Sequence, residues 1–212
     1  DKDKLYKFLR EMEFNRLLSS AISAYGEPNF LSSKTEVQDK QKEITKKNYS
    51  LISEIDELDD WIKEAEEVGE LAIDTETTSV DPHQASLVGI SLSSKVGKAC
   101  YIPVGHKSEK NLDKKSVLSK LKPLLEDPSI KKIGQNIKFD FIILYREGIS
   151  MSPKEDTMLM SYVLDAGKNR HNMDTLSELH LGHKTTTFKE LVGSGKKEVK
   201  FSDVELDKAK DY

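Results

Sequence analysis

The sequence predicts an α/β domain in which helices flank a mixed sheet, preceded by a short helical extension. Three short apolar segments are separated by turn-forming residues and predict an antiparallel meander of strands: 71–75, 86–93 and 98–103. Helical and strand patterns then alternate, with helices over 112–125, 137–146 and 157–165 and a strand over 130–134. Strands followed by alternating helices and a strand are typical of an α/β domain with a mixed sheet.

The first 28 residues carry apolar side chains at helical spacing and predict two short helices. Two short helices cannot bury their apolar faces alone, so this extension should belong to a larger domain or pack against one. Residues 29–50 contain few apolar side chains and no clear period, and we interpret them as an interdomain linker. The main domain is expected to cover 51–212.

An amphipathic helix opens the main domain. Its apolar face is formed by Ile55, Leu58, Trp61, Ile62 and Ala65. A glycine at position 69 is a suitable end for this helix. The spacing indicates that the single tryptophan is a core residue rather than a platform for stacking bases.

The composition limits the classes of protein that need to be considered. The 212 residues carry a net charge of −4, with 33% charged and 36% hydrophobic residues and one cysteine, Cys100, expected in the core. No apolar run approaches the ~20 residues that cross a bilayer, so we expect a soluble cytoplasmic protein without a membrane partner. The negative charge argues against binding nucleic acid by bulk electrostatics. It does not exclude an enzyme whose metal ions invert the local charge.

Two carboxylates stand two residues apart in the segment IDTET. Residues i and i+2 of a strand point to the same face, so Asp74 and Glu76 can converge on one point. Hard cations such as Mg²⁺ prefer oxygen ligands of this kind. Two solvated charges at a strand end would give the same pattern, so the pair alone is a weak signal.

The segment GQNIKFD offers a third carboxylate where a strand turns into a helix. Asn136 is placed to cap the helix, and Asp140 lies four residues later on the same face. The alternative is a capped surface helix with an exposed acid. Combined with Asp74 and Glu76, however, Asp140 would supply one site from a second element.

These segments resemble a known family. IDTETTSVDPHQASLVGISLS and IGQNIKFDFIIL are similar to the first and second exonuclease motifs of the proofreading 3′→5′ exonuclease domain in the bacterial DNA polymerase I family (family A). The resemblance continues through DTMLMSYVLDAG and RHNMDTLSELHLGHKTTTF and covers residues 51–212. It implies the DnaQ-like (DEDD) superfamily and a ribonuclease H-like fold. The segment LYKFLREMEFNRLLSSAISAYGE also resembles the end of that family's 5′-nuclease domain, which would cover 1–28.

The resemblance implies a site for two divalent metal ions, Mg²⁺, Mn²⁺ or Zn²⁺. Asp74 and Glu76 match the first-motif metal ligands, and Asp140 matches the second-motif ligand, which acts largely through water. Tyr212 matches the third-motif tyrosine that orients the attacking water. The aspartate of that motif would fall four residues beyond Tyr212. A helix starting at Ser202 and running on without a stop signal is expected to carry this motif, so these 212 residues alone should be only weakly active.

The resemblance also implies substrate-binding residues along the path of the 3′-terminal nucleotides. These are Thr77, Val80, Gln135, Asn136, Phe139, Arg170 and Phe188. For Val80 and Phe188, a mainly structural role in the core is the competing interpretation.

The expected substrate is a single-stranded 3′ end of DNA, and the expected partners are the polymerase and 5′-nuclease domains of the same parent chain in the nucleoid.

Three alternatives remain open. An RNA-trimming exonuclease of the same superfamily would share the acids. A non-catalytic structural domain would have lost acids that this chain retains. An aspartyl phosphatase would need a second aspartate where this chain has Glu76.

Overall fold

The computed structural model describes residues 1–26, 48–107, 110–195 and 199–212. The chain divides into two compact units, 1–40 and 41–212, which are described separately. No helix within these described ranges is long and apolar enough to span a bilayer.

The described part of the first unit is a pair of helices, α1 (Lys2–Glu11) and α2 (Asn15–Tyr25). Tyr6 is fully buried between them, and its hydroxyl donates to the carbonyl oxygen of Gly26 at 2.6 Å. Gly26 ends α2 with a φ of 81°. The pair leaves several large apolar side chains exposed: Leu5, Phe8, Met12, Phe14 and Leu17. Two helices with incompletely buried faces are what the sequence predicts.

The second unit is built on a six-stranded mixed sheet in the order β1-β4-β3-β2-β5-β6. The strands are β1 (Asn48–Leu51), β2 (Glu70–Thr77), β3 (Leu87–Lys95), β4 (Lys98–Pro103), β5 (Lys131–Gly134) and β6 (Lys154–Asp156). Strands β2, β3 and β4 form the predicted antiparallel meander, and the remaining neighbours pair in parallel.

One face of the sheet is covered by three helices: α3 (Leu58–Val68), α4 (Lys114–Glu126) and α5 (Lys138–Arg146). This face contains the main core, in which Trp61 and Cys100 are both buried, as predicted. Burial raises the pKa of the Cys100 thiol to about 12. Gly69 ends α3 in the left-handed conformation, with a φ of 75°.

The C-terminal part of the chain supplies four more helices. They are α6 (Thr157–Asp165), α7 (Met173–Leu181), α8 (Phe188–Val192) and α9 (Leu206–Asp211). A short 3₁₀ turn over Phe201–Asp203 precedes α9. A second, smaller core packs Val88 and Tyr101 of the sheet against Val192, Phe201 and Val204. This core holds the C-terminal segment beside the candidate site described below.

Three local expectations from the sequence are wrong. Asn48–Leu51 pairs with β4, so the last residues of the predicted linker belong to the sheet; the rest of the linker that falls in 29–47 lies outside the described residues. Asn136 has a φ of 57° and does not cap α5, whose N-cap is Ile137. Ser202 lies in the 3₁₀ turn, and α9 begins only at Leu206 because Val204 is extended and buried.

Candidate active site

A cavity of about 650 Å³ opens where β2 ends. It is bounded by the turn after β2, the start of α5, the first residue of α8 and the segment before α9. Its lining residues are Asp74, Thr75, Glu76, Thr77, Thr78, Ser79, Val80, Asn136, Phe139, Phe188, Val199, Lys200 and Phe201. Four separate parts of the sequence therefore meet in one place.

Asp74 and Glu76 line this cavity from alternate positions of β2. Thr75 between them is buried, whereas both acids are only partly exposed. Their pairing partners on β3 are Ser91 and Gly89. The two carboxylates thus share one face of the strand, as their spacing predicts.

Asp140 approaches the same strand from α5. Only 2% of Asp140 is exposed, and its Oδ1 accepts hydrogen bonds from the backbone N–H of Thr75 at 2.8 Å and from the Thr75 hydroxyl at 2.6 Å. The expectation of an inward-facing acid on this helix is correct. Because Thr75 stands between the two first-motif acids, this bond fixes Asp140 next to them.

Burial disfavours ionisation of all three carboxyl groups, and repulsion within the group adds to this for Asp74 and Glu76. Burial raises the pKa of Asp74 to about 7, with a further contribution from Asp140. Burial raises the pKa of Glu76 to about 8, with contributions from Asp74 and Asp140. The pKa of Asp140 rises to about 6 through burial, which exceeds the opposing effect of the Thr75 hydrogen bonds. Upward shifts of this kind are expected for carboxyl groups that are removed from water.

The donor set fits a hard divalent cation, because it consists of carboxylate oxygens. Within residues 1–26, 48–107, 110–195 and 199–212, however, no three His, Cys, Asp or Glu side chains stand close enough to hold an ion together. Asp140 is engaged with Thr75 rather than directed at its neighbours. Asp74 and Glu76, which line the cavity, are the carboxylates open to a ligand.

Tyr212 lies close enough to Asp74 and Glu76 for their negative charges to affect the pKa of its hydroxyl. Burial raises the pKa of Tyr212 to about 12, with further contributions from Glu76 and Asp74. Its ring lies 6.1 Å from that of Phe201, measured between centroids. The structure therefore places Tyr212 near Asp74 and Glu76.

An aromatic wall faces the acids across the cavity. The rings of Phe188 and Phe201 are stacked, with centroids 6.4 Å apart and planes inclined by 10°. Phe201 is buried, whereas Phe188 is 49% exposed, and Val80 on the turn after β2 is 94% exposed. The competing interpretation of Val80 and Phe188 as core residues is therefore wrong. Phe139 is half-buried and packs against the main core.

Two of the expected substrate-binding residues lie elsewhere. Gln135 lines a second, apolar cavity of about 610 Å³ between the sheet and helices α6 and α7. Its side chain donates to the carbonyl oxygen of His171 at 2.7 Å and accepts from Thr157 at 2.6 Å, so its amide is used within the protein. Arg170 is exposed and is not among the residues that line the cavity at β2.

Asn136 and Thr77 line the cavity at β2, in part through their backbone. The backbone N–H of Asn136 donates to Oδ1 of Asp156 at 3.0 Å, which stabilises its left-handed conformation. The Thr77 hydroxyl donates to the carbonyl oxygen of Ser79 at 2.9 Å and shapes the turn after β2.

Lys200 was not selected by the sequence analysis. Among the described residues that line the cavity, it carries the cationic side chain. It immediately precedes Phe201, which is buried, so the base of its side chain is held at the rim. No motif or periodicity marks it, since Val199 and Lys200 belong to neither a helix nor a strand.

Comparisons with known proteins agree with this geometry. Residues 49–212 match the family described as 3′-5′ exonuclease of family A DNA polymerases. DNA polymerase I of Rhizobium leguminosarum is 42% identical over 185 residues, which cover 77% of this chain and 18% of the relative. DNA polymerase I of Pseudomonas aeruginosa is 35% identical over 218 aligned residues, which cover 100% of this chain and 23% of the relative. The chain thus spans about a fifth of the length of these two relatives.

Solved structures share the fold. Escherichia coli RNase D has a TM-score of 0.55 at 22% identity, covering 69% of this chain and 36% of that one. Trypanosoma brucei RNase D has a TM-score of 0.60 at 14% identity, covering 79% and 61%. These likenesses show a ribonuclease H-like fold. The family match and the two polymerases establish that the chain belongs to the 3′-5′ exonuclease domain family of bacterial DNA polymerase I.

Proposed function

We propose that this domain hydrolyses the 3′-terminal phosphodiester of single-stranded DNA and releases a deoxynucleoside monophosphate. The observation that carries the proposal is the meeting of Asp74, Glu76 and Asp140 beside an open cavity with an aromatic wall. Acids with raised pKa values in a cleft are typical of functional sites, because burial without compensation costs stability.

The acids are proposed to bind two divalent cations, with Mg²⁺ or Mn²⁺ favoured by the oxygen ligands and Zn²⁺ as a further candidate. Asp74 and Glu76 would be direct ligands, and Asp140 would bind through water while it retains its bonds to Thr75. When bound, such ions supply a water of lowered pKa and stabilise the charge on the leaving oxygen.

The rest of the cavity is proposed to hold the 3′-terminal nucleotides. Phe188 offers a ring face to a base, and Val80 offers an exposed apolar surface on the opposite rim. Lys200 is placed to bind a backbone phosphate, and Tyr212 to orient the attacking water beside the acids. Thr77, Asn136 and Phe139 complete the lining.

A single-stranded end is required because the cavity is built for stacking and backbone contacts rather than for a duplex. A mispaired 3′ terminus unstacks at lower cost than a paired one. Selection of errors can therefore follow from the ease of fraying, without contacts that read the base.

The parent protein is proposed to be a DNA polymerase I that acts in the nucleoid. The Pseudomonas aeruginosa polymerase aligns with the whole chain, including the first unit. This supports the interpretation of 1–28 as the end of a 5′-nuclease domain. Polymerase and 5′-nuclease domains of the same chain would then be the partners of this domain.

The test combines metal binding, DNA binding and hydrolysis. Asp74→Ala should weaken Mn²⁺ binding measured by calorimetry and lower the hydrolysis of single-stranded DNA by ~10³-fold or more, since removing one essential group of a catalytic unit is about as costly as removing all. Asp60→Ala, at an exposed acid on α3, is the matched control and should change neither. Equal Mn²⁺ affinity and rate in Asp74→Ala would overturn the proposal.

The same assays address the alternatives. Faster hydrolysis of single-stranded RNA than of DNA would favour an RNA exonuclease, which the RNase D-like fold permits. DNA binding without hydrolysis in any divalent metal would favour a structural domain. Release of phosphate from a phosphomonoester, with no shortening of DNA, would favour a phosphatase.

A further inference from the structure

A buried tyrosine–histidine pair joins strand β4 to the C-terminal segment. The hydroxyl of Tyr101 lies 2.6 Å from Nε2 of His106, and Nδ1 of His106 lies 3.1 Å from the carbonyl oxygen of Val204. A carbonyl oxygen only accepts, so Nδ1 carries a proton and donates to Val204. In the neutral ring, Nε2 then accepts from the Tyr101 hydroxyl. Burial lowers the pKa of His106 and favours this neutral form.

The Tyr101–His106 pair lies close to the acids because Gly89, which has no side chain, leaves room for the Tyr101 ring. Gly89 of β3 pairs with Glu76 of β2, and a Cβ atom at Gly89 would lie 1.9 Å from the Tyr101 hydroxyl oxygen. The ring of Tyr101 therefore passes over position 89, next to Glu76. The charge of Glu76 contributes to the raised pKa of Tyr101, after the larger effect of burial.

The pair also packs, through the His106 ring, against the aromatic wall of the cavity. The ring of His106 lies 5.7 Å from that of Phe201, which in turn contacts Phe188 and Tyr212. The backbone N–H of Lys107 donates to the carbonyl oxygen of Ser202 at 2.8 Å. The loop after β4 is thus joined to the segment 201–204 by two hydrogen bonds and by the ion pair of Lys107 with Asp203.

The backbone of His106 is itself held in place. Its N–H donates to Oδ1 of Asn111 at 2.8 Å, and Nδ2 of Asn111 donates to its carbonyl oxygen at 2.5 Å. The ring therefore has a fixed base as well as partners at both nitrogens. These contacts make His106 a rigid connection between the loop after β4 and the C-terminal segment.

We propose that Tyr101 and His106 are positioning residues of the exonuclease site, which fix the segment 201–212 relative to Glu76 and thereby place Tyr212. The inference rests on the proposed function. Neither residue is itself catalytic, because both are at least 95% buried and lie outside the lining of the cavity. They act through Phe201 and Val204 on the side chains that do line it.

The first test measures the segment directly, by hydrogen exchange in the full chain. Tyr101→Phe keeps the ring and removes the hydroxyl, so exchange at the Val204 and Ala209 amides should accelerate about tenfold, while exchange in α3 and α4 stays unchanged. Tyr145→Phe, at an exposed tyrosine of α5, is the control and should accelerate neither region. An unchanged rate at Val204 and Ala209, or an equal acceleration throughout the domain, would overturn the proposal.

The second test asks whether the pair acts through Tyr212. With single-stranded DNA, Tyr101→Phe should lower kcat about tenfold and change KM less than about twofold. In a Tyr212→Phe background, the same substitution should have little further effect, because the residue that it positions has lost its function. Full additivity of the two losses would overturn the proposal.

His106→Asn provides a second variant if Tyr101→Phe does not fold. Its amide nitrogen can still donate to Val204, but it no longer reaches Tyr101, so the loss of kcat should match that of Tyr101→Phe. A rate equal to that of the unaltered chain would contradict the inference. Absence of hydrolysis by the unaltered chain would instead overturn the proposed function, whereas the exchange experiment decides on the pair independently.

Discussion

The carboxylate of Asp140 and the side chain of Thr75 are joined by a hydrogen bond of 2.6 Å, and the backbone N–H of Thr75 donates to the same oxygen at 2.8 Å. Thr75 is the residue between Asp74 and Glu76, so this contact joins α5 to the strand that carries the first two acids. It also explains how Asp140 is accommodated at 2% exposure: one residue supplies both of these donors.

Thr75→Val should therefore weaken the site without changing the shape of the side chain. The loss of a hydrogen bond to a charged group costs about 1.5–3 kcal/mol, and the pKa of Asp140 should rise further. We expect weaker Mn²⁺ binding by calorimetry and a lower unfolding midpoint in urea. Thr75→Ser keeps the hydroxyl and should restore both. Equal Mn²⁺ affinity in the valine and serine variants would show that the hydroxyl is not needed.

The raised pKa values of the acids predict an unusual dependence of stability on pH. In the metal-free protein, Asp140, Asp74 and Glu76 have pKa values of about 6, 7 and 8, above their ordinary values. The folded state therefore binds more protons than the unfolded state between about pH 4 and pH 8, and stability falls as the pH rises through this window.

Urea unfolding at pH 5 and pH 8 tests whether stability falls as the pH rises. Without metal, the free energy of unfolding should be larger at pH 5. Saturating Mg²⁺ should remove much of the difference, because it stabilises the ionised carboxylates at pH 8. The double variant Asp74→Asn, Glu76→Gln is the control and should show a flatter profile. Higher metal-free stability at pH 8 would contradict the burial of these groups.

Much of the fold could be predicted because its signals are local. The alternation along β2–β4, the amphipathic face with Trp61 and the stop at Gly69 are each set by neighbouring residues. Strand β1 could not be predicted, because Asn48–Leu51 is stabilised by pairing with β4, about fifty residues later. The same holds for β6, whose three residues carry no period of their own.

In the candidate site, too, features set by neighbouring residues could be predicted and features set by tertiary contacts could not. The shared face of Asp74 and Glu76 follows from the geometry of a strand, and both residues line the cavity. The position of Gln135 does not follow, since its amide is bound by Thr157 and by His171, which are distant in sequence. Lys200 and His106 are likewise brought to the site by tertiary contacts alone.

Phe188→Ala should weaken binding of single-stranded DNA. The ring is 49% exposed and stacked on Phe201, so it is presented to the cavity at little cost in conformational freedom. Loss of a base–aromatic stack costs about 1–3 kcal/mol, which fluorescence anisotropy with a labelled oligonucleotide measures in Ca²⁺. Phe8→Ala, a comparably exposed phenylalanine in α1, should leave the affinity unchanged. An equal loss in both variants would assign the effect to something other than stacking in the cavity.

Lys200→Gln should reduce affinity for single-stranded DNA and its dependence on salt. If the ammonium group neutralises one phosphate, the slope of log affinity against log salt concentration should fall by about 0.7. The effect should be similar for all base sequences, since a phosphate contact carries no sequence information. Lys208→Gln removes an exposed lysine of α9 that pairs with Glu205 at 3.0 Å, outside the cavity lining, and controls for net charge. Because both variants lose one positive charge, long-range attraction changes equally, and only a direct contact separates them. Equal salt slopes for the two variants would show that Lys200 contributes to the general field of the domain rather than binding a phosphate.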